Sequence, residues 1–399
     1  MQQETMVKRA KRLKSKLVEI RRTIHRHPEL AMQETNTAAY IAEVLRHTGL
    51  KVRKNVAKTG VVGLLEGRLK GPCVALRADM DALDIQEQND VPYRSKEKGK
   101  MHACGHDAHI AALLGAAILI EGRRFSLPGS VKFIFQPSEE TPPGGAKPMI
   151  DEGVLEEPEV KAIFSLHSEP DIKVGQIGVK EGTMMAAADD FTVAIKGAPS
   201  HGARPHLGVD AVVLASQAVL ALQVMLARRM DPTIPALLTI GKIHGGYRRN
   251  IIADQVFLEG TLRTLSDSSR RRAMRLLKST VSGIAKTGGG SAKVDWHGGY
   301  PALVNDRSLN QIVRQAGGEI LGRGNIVEIQ DPAMGGEDFA YYCKQVPGTM
   351  FRLGIKNKSK GIEYPLHHPK FDLDEDSLWI GAAVLARAVE IKLSLASGS

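Results

Sequence analysis

The chain has 399 residues, of which 43% are hydrophobic and 5% aromatic, and it carries a formal net charge of +10. This composition is ordinary for a globular protein of two or three domains, and it leaves Ala, Val, Ile and Leu to form most of the core. The three cysteines, Cys73, Cys104 and Cys343, are odd in number and far apart in the chain, which argues against a disulfide framework.

The excess of basic residues is concentrated in three segments. These are KRAKRLKSK near the start, SRRRAMRLLK at 269–278 and KNKSK at 356–360. Such segments can attract nucleic acid or anionic lipid, but aromatic residues are not interleaved with them and no nucleic-acid-binding motif accompanies them. We interpret them as solvated helix faces and a loop, and we expect no nucleic-acid or membrane partner.

The apolar segments do not predict membrane insertion. The N-terminal MQQETMVKRAKRLKSKLVEI lacks the apolar core of a signal peptide. The longest apolar run, 108–120, is shorter than the roughly 20 residues that span a bilayer. A longer stretch at 210–227 is interrupted by polar residues, which favours a largely buried helix. We therefore expect a soluble, cytoplasmic protein.

The first part of the chain predicts alternating helices and buried strands. Helices are expected at 8–27, 34–48 and 107–121. Short apolar runs typical of strands occur at 60–67, 73–78, 131–136 and 162–167. Nearly apolar strands that alternate with helices indicate an α/β fold with a sheet covered on both faces.

The predicted strands end in ionisable residues. The strand at 73–78 runs into Asp79 and Asp81, the strand at 131–136 runs into Glu139 and Glu140, and AIFSL runs into His167. In open α/β sheets, ligands bind outside the carboxyl ends of the strands. These side chains are therefore expected to converge on one crevice.

The middle of the chain predicts a separate, inserted domain. Its expected elements follow the order βαββαβ of a ferredoxin-like unit, with strands at 191–197, 237–243, 255–265 and 292–297 and helices at 208–229 and 266–286. A strand at 348–354 and a helix at 375–394 then resume the first pattern. We predict a mixed-sheet α/β domain formed by 1–185 and 299–399, interrupted by an inserted domain at 186–298.

The decapeptide MHACGHDAHI, residues 101–110, concentrates metal ligands and candidate nucleophiles. Cys104 and His106 are two residues apart and can share a tight turn. Thiolate and imidazole both suit zinc, which takes about four ligands, so this segment supplies at most half of a site. A single histidine on an apolar strand is more often structural, but further candidates at other strand ends make coincidence less plausible: Glu139, Glu140, His167 and the pair His367 and His368.

Two other motifs carry groups suited to hydrolysis. In QPSEE, adjacent carboxylates point in different directions, so one can bind metal while the other removes a proton from activated water and passes it to a leaving amine. In GAPSHGARPH, His201 lies between small residues after a strand and could donate a hydrogen bond to a developing oxyanion. A solvated acidic turn and a polar loop are the structural alternatives.

Taken together, the motifs resemble a family of metal-dependent amidohydrolases that includes aminoacylases, hippurate hydrolases, plant auxin-conjugate hydrolases and archaeal carboxypeptidases. The resemblance covers nearly the whole chain. The motifs follow in the family's order: RRTIHRHPEL, ALRADMDAL, MHACGHDAHI, FQPSEE, GGAKPMI, SHGARPH, GGEDF and LHHPKF. It implies a catalytic domain with a two-metal centre and a lid domain that often also serves for dimerisation.

The resemblance also implies roles for individual residues. Glu139 matches the family's general base, His201 matches a lid histidine that polarises the scissile carbonyl, and Asn250 matches a lid asparagine associated with substrate binding. The positions that match metal ligands are Cys104, His106, Glu140, His167 and His367.

Some positions follow one branch of the family, the branch with CGHD. Asp79 stands where distant relatives have a histidine ligand, and Cys104 stands where they have a bridging aspartate. We therefore place Asp79 and Asp81 behind the ligands rather than on the metal. Either His367 or His368 could turn toward the metal, and His367 occupies the family's position.

The resulting hypothesis is a two-metal hydrolase, and three alternative functions remain open for the same residues. The favoured reading is cleavage of the amide bond of N-acyl-amino acids, with Glu139 as the base. The alternatives are a carboxypeptidase or dipeptidase, a hydrolase with Cys104 as nucleophile and His102 or His106 as base, and a metal-binding protein without catalysis. A cysteine ligand favours zinc, although manganese or cobalt could serve, and the expected assembly is a homodimer or homotetramer.

Overall fold

The computed structural model describes residues 4–397. Its helices are α1 (Met6–Arg12), α2 (Lys14–Arg26), α3 (Thr35–His47), α4 (His106–Glu121), α5 (Ala146–Asp151), α6 (Ala211–Arg229), α7 (Asp267–Thr287), α8 (Arg307–Leu321), α9 (Ala340–Gln345) and α10 (Asp376–Ser397). Its strands are β1 (Lys51–Val56), β2 (Gly60–Glu66), β3 (Leu69–Asp79), β4 (Pro128–Gln136), β5 (Val160–Lys173), β6 (Ile177–Val179), β7 (Gly182–Met185), β8 (Ala187–Lys196), β9 (Ala236–Gly245), β10 (Gln255–Thr264), β11 (Ser291–Tyr300), β12 (Leu303–Asn305), β13 (Ile326–Glu328) and β14 (Gly348–Lys356).

The described chain divides into two compact units. The large unit contains residues 4–182, Val304–Asp331 and 338–397, and the small unit contains Thr183–Leu303 and Pro332–Glu337. Residues 1–3 and 398–399, which belong to the predicted domain of 1–185 and 299–399, lie outside the described residues.

The large unit is built on a mixed sheet with the strand order β1-β2-β4-β3-β5-β14-β6-β13. The central strands β4, β3, β5 and β14 run parallel, whereas β1 and β2 pair antiparallel. Helices α4 and α10 pack against each other and against β3. Helix α4 is buried over almost its whole surface, which explains why its sequence lacks a polar face. The predicted α/β class with a mixed sheet is confirmed.

The small unit has the predicted ferredoxin-like order. Its sheet runs β11-β8-β10-β9, with antiparallel pairing throughout, and α6 and α7 pack on it. Phe191, Val193 and Leu258 from the strands are buried together with Ala218 and Leu277 from the helices. The alternation along β8 and the helical spacing along α7 thus close one apolar core.

Two predictions about the large unit need correction. The helix expected at 8–27 is interrupted at Leu13, whose N–H donates to the carbonyl of Ala10 at 3.0 Å, a tighter turn than that of an α-helix. The strand expected to end at His167 continues to Lys173, so His167 lies within β5. The parallel register pairs Arg77 with Ser165, which places His167 level with the end of β3.

The segment predicted as a largely buried helix is only about one third buried. Helix α6 buries Leu214, Ala218 and Leu222 but exposes Leu220 and Val224. By length and composition it is the one helix in residues 4–397 that could cross a membrane, with 33% of its most apolar window buried. Because its inner face packs on the small unit's sheet, we interpret it as a helix of that unit whose outer face is also apolar and is exposed in the described chain.

Candidate metal centre

The CGHD turn precedes the buried helix α4 and depends on a glycine. Gly105 has a φ of 88°, in the left-handed region that favours glycine. A Cβ at this position would lie 2.8 Å from the Oγ of Ser168. His106 is the first residue of α4, so the turn presents Cys104 and His106 from consecutive parts of the backbone.

Backbone carbonyl groups orient two histidines. The Nδ1 of His106 donates to the carbonyl of Asp81 at 2.8 Å, and the Nδ1 of His167 donates to the carbonyl of Ser168 at 2.8 Å. Both rings therefore carry a proton on Nδ1, which leaves Nε2 as the nitrogen available to a metal ion. This is the arrangement by which proteins prepare histidine to ligate a metal.

Six predicted site residues of the large unit lie in one cluster. Potential ligand atoms of Cys104, His106 and His167 lie within 4.8 Å of one another, as do those of Cys104, Glu140 and His367, and those of His106, Glu139 and Glu140. Two atoms bound to one zinc ion at 2.3 Å each can be at most about 4.6 Å apart. The spacing therefore fits shared metal ions.

The unsatisfied atoms and charges of the cluster fit a cation. The Nε2 of His106 is buried without a hydrogen-bond partner, with carboxylate oxygens of Asp79 and Glu140 at 3.7 and 3.8 Å. Burial lowers the pKa of His106, but these carboxylates and that of Asp81 outweigh it and raise its pKa to about 10. In the absence of a metal, a proton thus compensates the local negative charge that a bound cation would balance.

Burial keeps two other groups neutral without a metal. It raises the pKa of the Cys104 thiol well above its ordinary value, with a further rise from Glu140 and Glu139. It lowers the pKa of His167 well below its ordinary value, with Arg352 and His109 adding to the effect. The Sγ of Cys104 lies 3.5 Å from the Nε2 of His167.

Asp79 and Asp81 contact the groups around the cluster. The carboxylate of Asp79 accepts a hydrogen bond from the Nδ1 of His109 at 2.6 Å and another from Arg77 at 2.8 Å. The carboxylate of Asp81 accepts the backbone N–H groups of Glu139 and Glu140 at 3.0 and 2.9 Å. Both aspartates thus have partners in the protein that hold the site together.

The two histidines of PLHHPKF point to different surroundings. The Nε2 of His367 lies 3.3 Å from an oxygen of Glu140. The ring of His368 stacks on Tyr364 with centroids 4.5 Å apart, and its Nδ1 accepts the N–H of Lys370. The structure therefore brings His367 to the cluster and places His368 against an aromatic ring.

The two predicted substrate-facing residues of the small unit lie on adjacent exposed loops. His201 forms an isolated β-bridge with Ile251, and the N–H of Gly202 donates to the carbonyl of Asn250 at 2.8 Å. These backbone contacts hold the His201 and Asn250 loops together.

Comparison with known proteins decides the family. Residues 75–391 match the family described as Peptidase family M20/M25/M40. The chain belongs to this family. The M20 family consists of metal-dependent hydrolases, so the predicted family and the predicted enzyme class, a metal-dependent hydrolase, are confirmed.

Similar M20 proteins differ in their named activities. An N-acetyl-L-cysteine deacetylase of Bacillus subtilis is 41% identical over 92% of this chain and 85% of its own length. Thermostable carboxypeptidase 1 of Saccharolobus solfataricus is 39% identical over 92% of each chain. The solved structure of the Bacillus subtilis YXEP protein, described as a dinuclear metal-binding peptidase, has a TM-score of 0.84 and 36% identity, covering 96% of this chain and 99% of that one.

A buried charge network next to the cluster of candidate ligands was not predicted from the sequence. Arg21, with no exposed surface, donates to Asp107 at 2.8 Å, and Asp107 also contacts the Nδ1 of His25 at 2.7 Å. A signal was present, since Arg21 and His25 are four residues apart on the same face of α2 as the buried Leu17 and Ile24. Ionisable residues on an apolar helix face indicate buried partners.

Removing one partner of this network should destabilise the fold. We expect Asp107→Ala to lower the free energy of unfolding by about 1–3 kcal/mol, because it removes the fully buried partner of Arg21 and His25, while Asp372 and Glu375 still pair with Arg21. Chemical denaturation would measure the change. Glu66→Ala, which breaks an exposed pair with Lys51, is the matched control and should leave the unfolding midpoint nearly unchanged. Equal effects of both variants would contradict the prediction.

Proposed function

We propose that this protein cleaves the amide bond between an acyl group and an amino acid, with Glu139 as the general base. The observation that carries the proposal is the place of Glu139 in the cluster, within 4.8 Å of the ligand atoms of His106 and Glu140. Its side chain is 6% exposed, and its backbone is held by Asp81. A carboxylate at this position can exchange protons with a reacting water.

The proposed ligands are the cluster residues other than Glu139, namely Cys104, His106, Glu140, His167 and His367. The orientation of His106 and His167 and the contact of His367 with Glu140 support this set. A cysteine ligand favours zinc, with manganese or cobalt as alternatives, and the two-metal stoichiometry is supported by the description of the YXEP relative. When bound, divalent ions would lower the pKa of a water molecule and polarise the scissile carbonyl.

The protein's own groups would then move the proton. Glu139 accepts the proton of the attacking water and donates it to the nitrogen of the leaving amino acid. His201 donates a hydrogen bond to the developing oxyanion, and Asn250 contacts the substrate. These roles require the small unit to act as the lid domain, which we propose corresponds to the inserted domain predicted at 186–298.

The substrate class is proposed from the relatives and from the chemistry of the cluster. An N-acyl-amino acid is favoured by the deacetylase relative, and a short peptide is the alternative suggested by the carboxypeptidase relative. Both substrates present an amide next to a carboxylate. A cytoplasmic location stays a prediction.

A matched substrate panel would separate the two classes. The metal-loaded protein would be assayed on acetyl, benzoyl and longer acyl derivatives of one amino acid, and on dipeptides ending in that amino acid. We expect higher kcat/KM for the acyl derivatives. Higher kcat/KM for the dipeptides would favour the peptidase alternative, and turnover of neither class would contradict the proposed function.

We also propose that a second copy of the chain docks on the small unit along α6 and β9. Helix α6 exposes Leu220 and Val224, and it packs on β9 and β10. In the described chain β9 pairs with β10 alone, so it is an edge of the sheet, and it exposes Leu237 and Ile243. Leu220 and Val224, one helical turn apart on α6, form an exposed apolar strip, and the open edge of β9 is suited to extending the sheet into another copy.

Charge placed on this strip should disrupt the assembly. The double variant Leu220→Glu and Val224→Glu is expected to elute as a monomer by light scattering, whereas the unaltered protein has the mass of a dimer or tetramer. Leu69→Glu, at an exposed leucine of the large unit, is the control and should keep the assembly. A monomeric unaltered protein would contradict the proposal.

A further inference from the structure

The turn that carries the two glutamates has an unfavourable backbone conformation. Ser138, which precedes Glu139, has a φ of 53°, in the left-handed region that a side chain disfavours. Such a residue keeps its conformation only when its surroundings fix it. The direction of the Glu139 side chain depends on this backbone.

Two buried carboxylates hold the three successive N–H groups of this turn. The N–H of Ser138 donates to the Oε1 of Glu34 at 2.9 Å. The next two N–H groups, of Glu139 and Glu140, donate to the two oxygens of Asp81 at 3.0 and 2.9 Å. The backbone is therefore held by hydrogen bonds before, at and after Glu139, and these fix where its side chain begins.

Glu34 is itself held in place. Its side chain is fully buried, and its Oε2 accepts the hydroxyl of Thr59 at 2.6 Å. It directly precedes α3, and its carbonyl accepts the N–H of Ala38 at 2.9 Å. A buried carboxylate is costly to desolvate, and here its partners in the described chain are a hydroxyl and amides instead of a cation. The hydrogen bonds from Thr59 and Ser138 offset part of this cost, so the carboxyl group and the turn hold each other in place.

We infer that Glu34 is a positioning residue that fixes the Ser138–Glu140 turn and thereby aims Glu139. The inference rests on the proposed role of Glu139 as the general base. Asp81 holds the N–H groups of the glutamates, and Glu34 holds the strained residue before them. Loss of the Glu34 acceptor is expected to let Ser138 relax from its left-handed conformation, while Asp81 still accepts the N–H groups of Glu139 and Glu140.

The variants that test this role differ in whether residue 34 can accept the hydrogen bond of the Ser138 N–H. Glu34→Leu keeps much of the volume and removes the acceptor. Glu34→Gln keeps a carbonyl oxygen for Ser138, and its amide can donate to the Thr59 hydroxyl. The matched control is Glu29→Leu, because Glu29 accepts the N–H groups of Asn36 and Thr37 at the start of the same helix and does not contact the turn.

Hydrogen exchange of the metal-free protein reads the turn directly. We expect Glu34→Leu to exchange the amides of a peptide spanning 134–141 about fivefold faster than the unaltered protein, since a hydrogen bond worth about 1 kcal/mol is lost. Glu34→Gln and Glu29→Leu should exchange as the unaltered protein does. If Glu34→Leu does not fold, Thr59→Val, which releases one oxygen of Glu34, should still speed exchange of this peptide, and unchanged exchange would overturn the inference.

Kinetics of the metal-loaded variants test the consequence. We expect Glu34→Leu to lower kcat by about 10–100-fold with little change in KM, and Glu34→Gln to restore most of it. Unaltered exchange and kcat in Glu34→Leu, or an equal loss in Glu29→Leu, would overturn the inference. The two proposals can fail separately. If Glu139→Gln is active, the proposed base is wrong whatever the exchange shows. If Glu139→Gln is inactive and Glu34→Leu is fully active, only the role of Glu34 is wrong.

Discussion

Substituting Glu139 by glutamine is expected to lower kcat by about 10²–10⁴-fold, the usual contribution of a general base. Glutamine keeps the size of the side chain but cannot accept and pass on a proton at neutral pH. Because the proposed ligands are other residues, the metal content should stay that of the unaltered protein. The measurement is kcat on the best acyl-amino acid, with metal counted in the same samples.

The control for this substitution is Glu159→Gln, at an exposed glutamate paired with Lys161. It removes one carboxylate from the surface of the large unit and should not alter kcat. Wild-type turnover by Glu139→Gln would contradict the assignment of the base. Loss of metal together with activity would instead make Glu139 a ligand.

Substituting Cys104 by alanine should lower metal occupancy and reduce activity by at least about 100-fold. The thiol is buried, and burial raises its pKa, so only metal binding would make it a thiolate. Removal of metal with a chelator should abolish the activity of the unaltered protein, and added zinc should restore it. Metal analysis and activity before and after chelation would measure both effects.

Cys73→Ala is the matched control, since Cys73 is also a buried cysteine of the large unit but lies outside the cluster. It should keep metal and activity. If Cys104 were instead a nucleophile, iodoacetamide should inactivate the enzyme whether or not metal is bound. Inactivation by iodoacetamide at a rate that a chelator does not change would support the nucleophile and contradict the metal ligand.

Much of the fold could be predicted from local patterns, but the sheet order could not. The apolar runs of β3 and β4 and the βαββαβ order of the small unit are readable because each element is long and regular. Strands β6 and β13 have three residues each, and β1 is mostly exposed and rich in basic residues. Such short or polar strands are set by the neighbours they pair with, and single-sequence periodicity does not reveal them.

In the candidate site, residues in short motifs could be predicted from the sequence, whereas contacts between distant residues could not. Cys104, His106, Glu139 and Glu140 belong to short motifs, so their chemistry was visible in the sequence. The hydrogen bond of Glu34 to Ser138 joins residues 104 positions apart. No local pattern in the sequence indicates such a contact, because the polar partner of a buried carboxylate is chosen by the tertiary fold.

The most direct test of the central claim is anomalous diffraction from crystals of the zinc-loaded protein. Two-metal sites hold their ions about 3.5–4 Å apart. The account expects two peaks at that separation, bounded by Cys104, His106, Glu140, His167 and His367, with Glu139 beside them and not bound to either. An absence of peaks among these residues in active protein would contradict the two-metal centre.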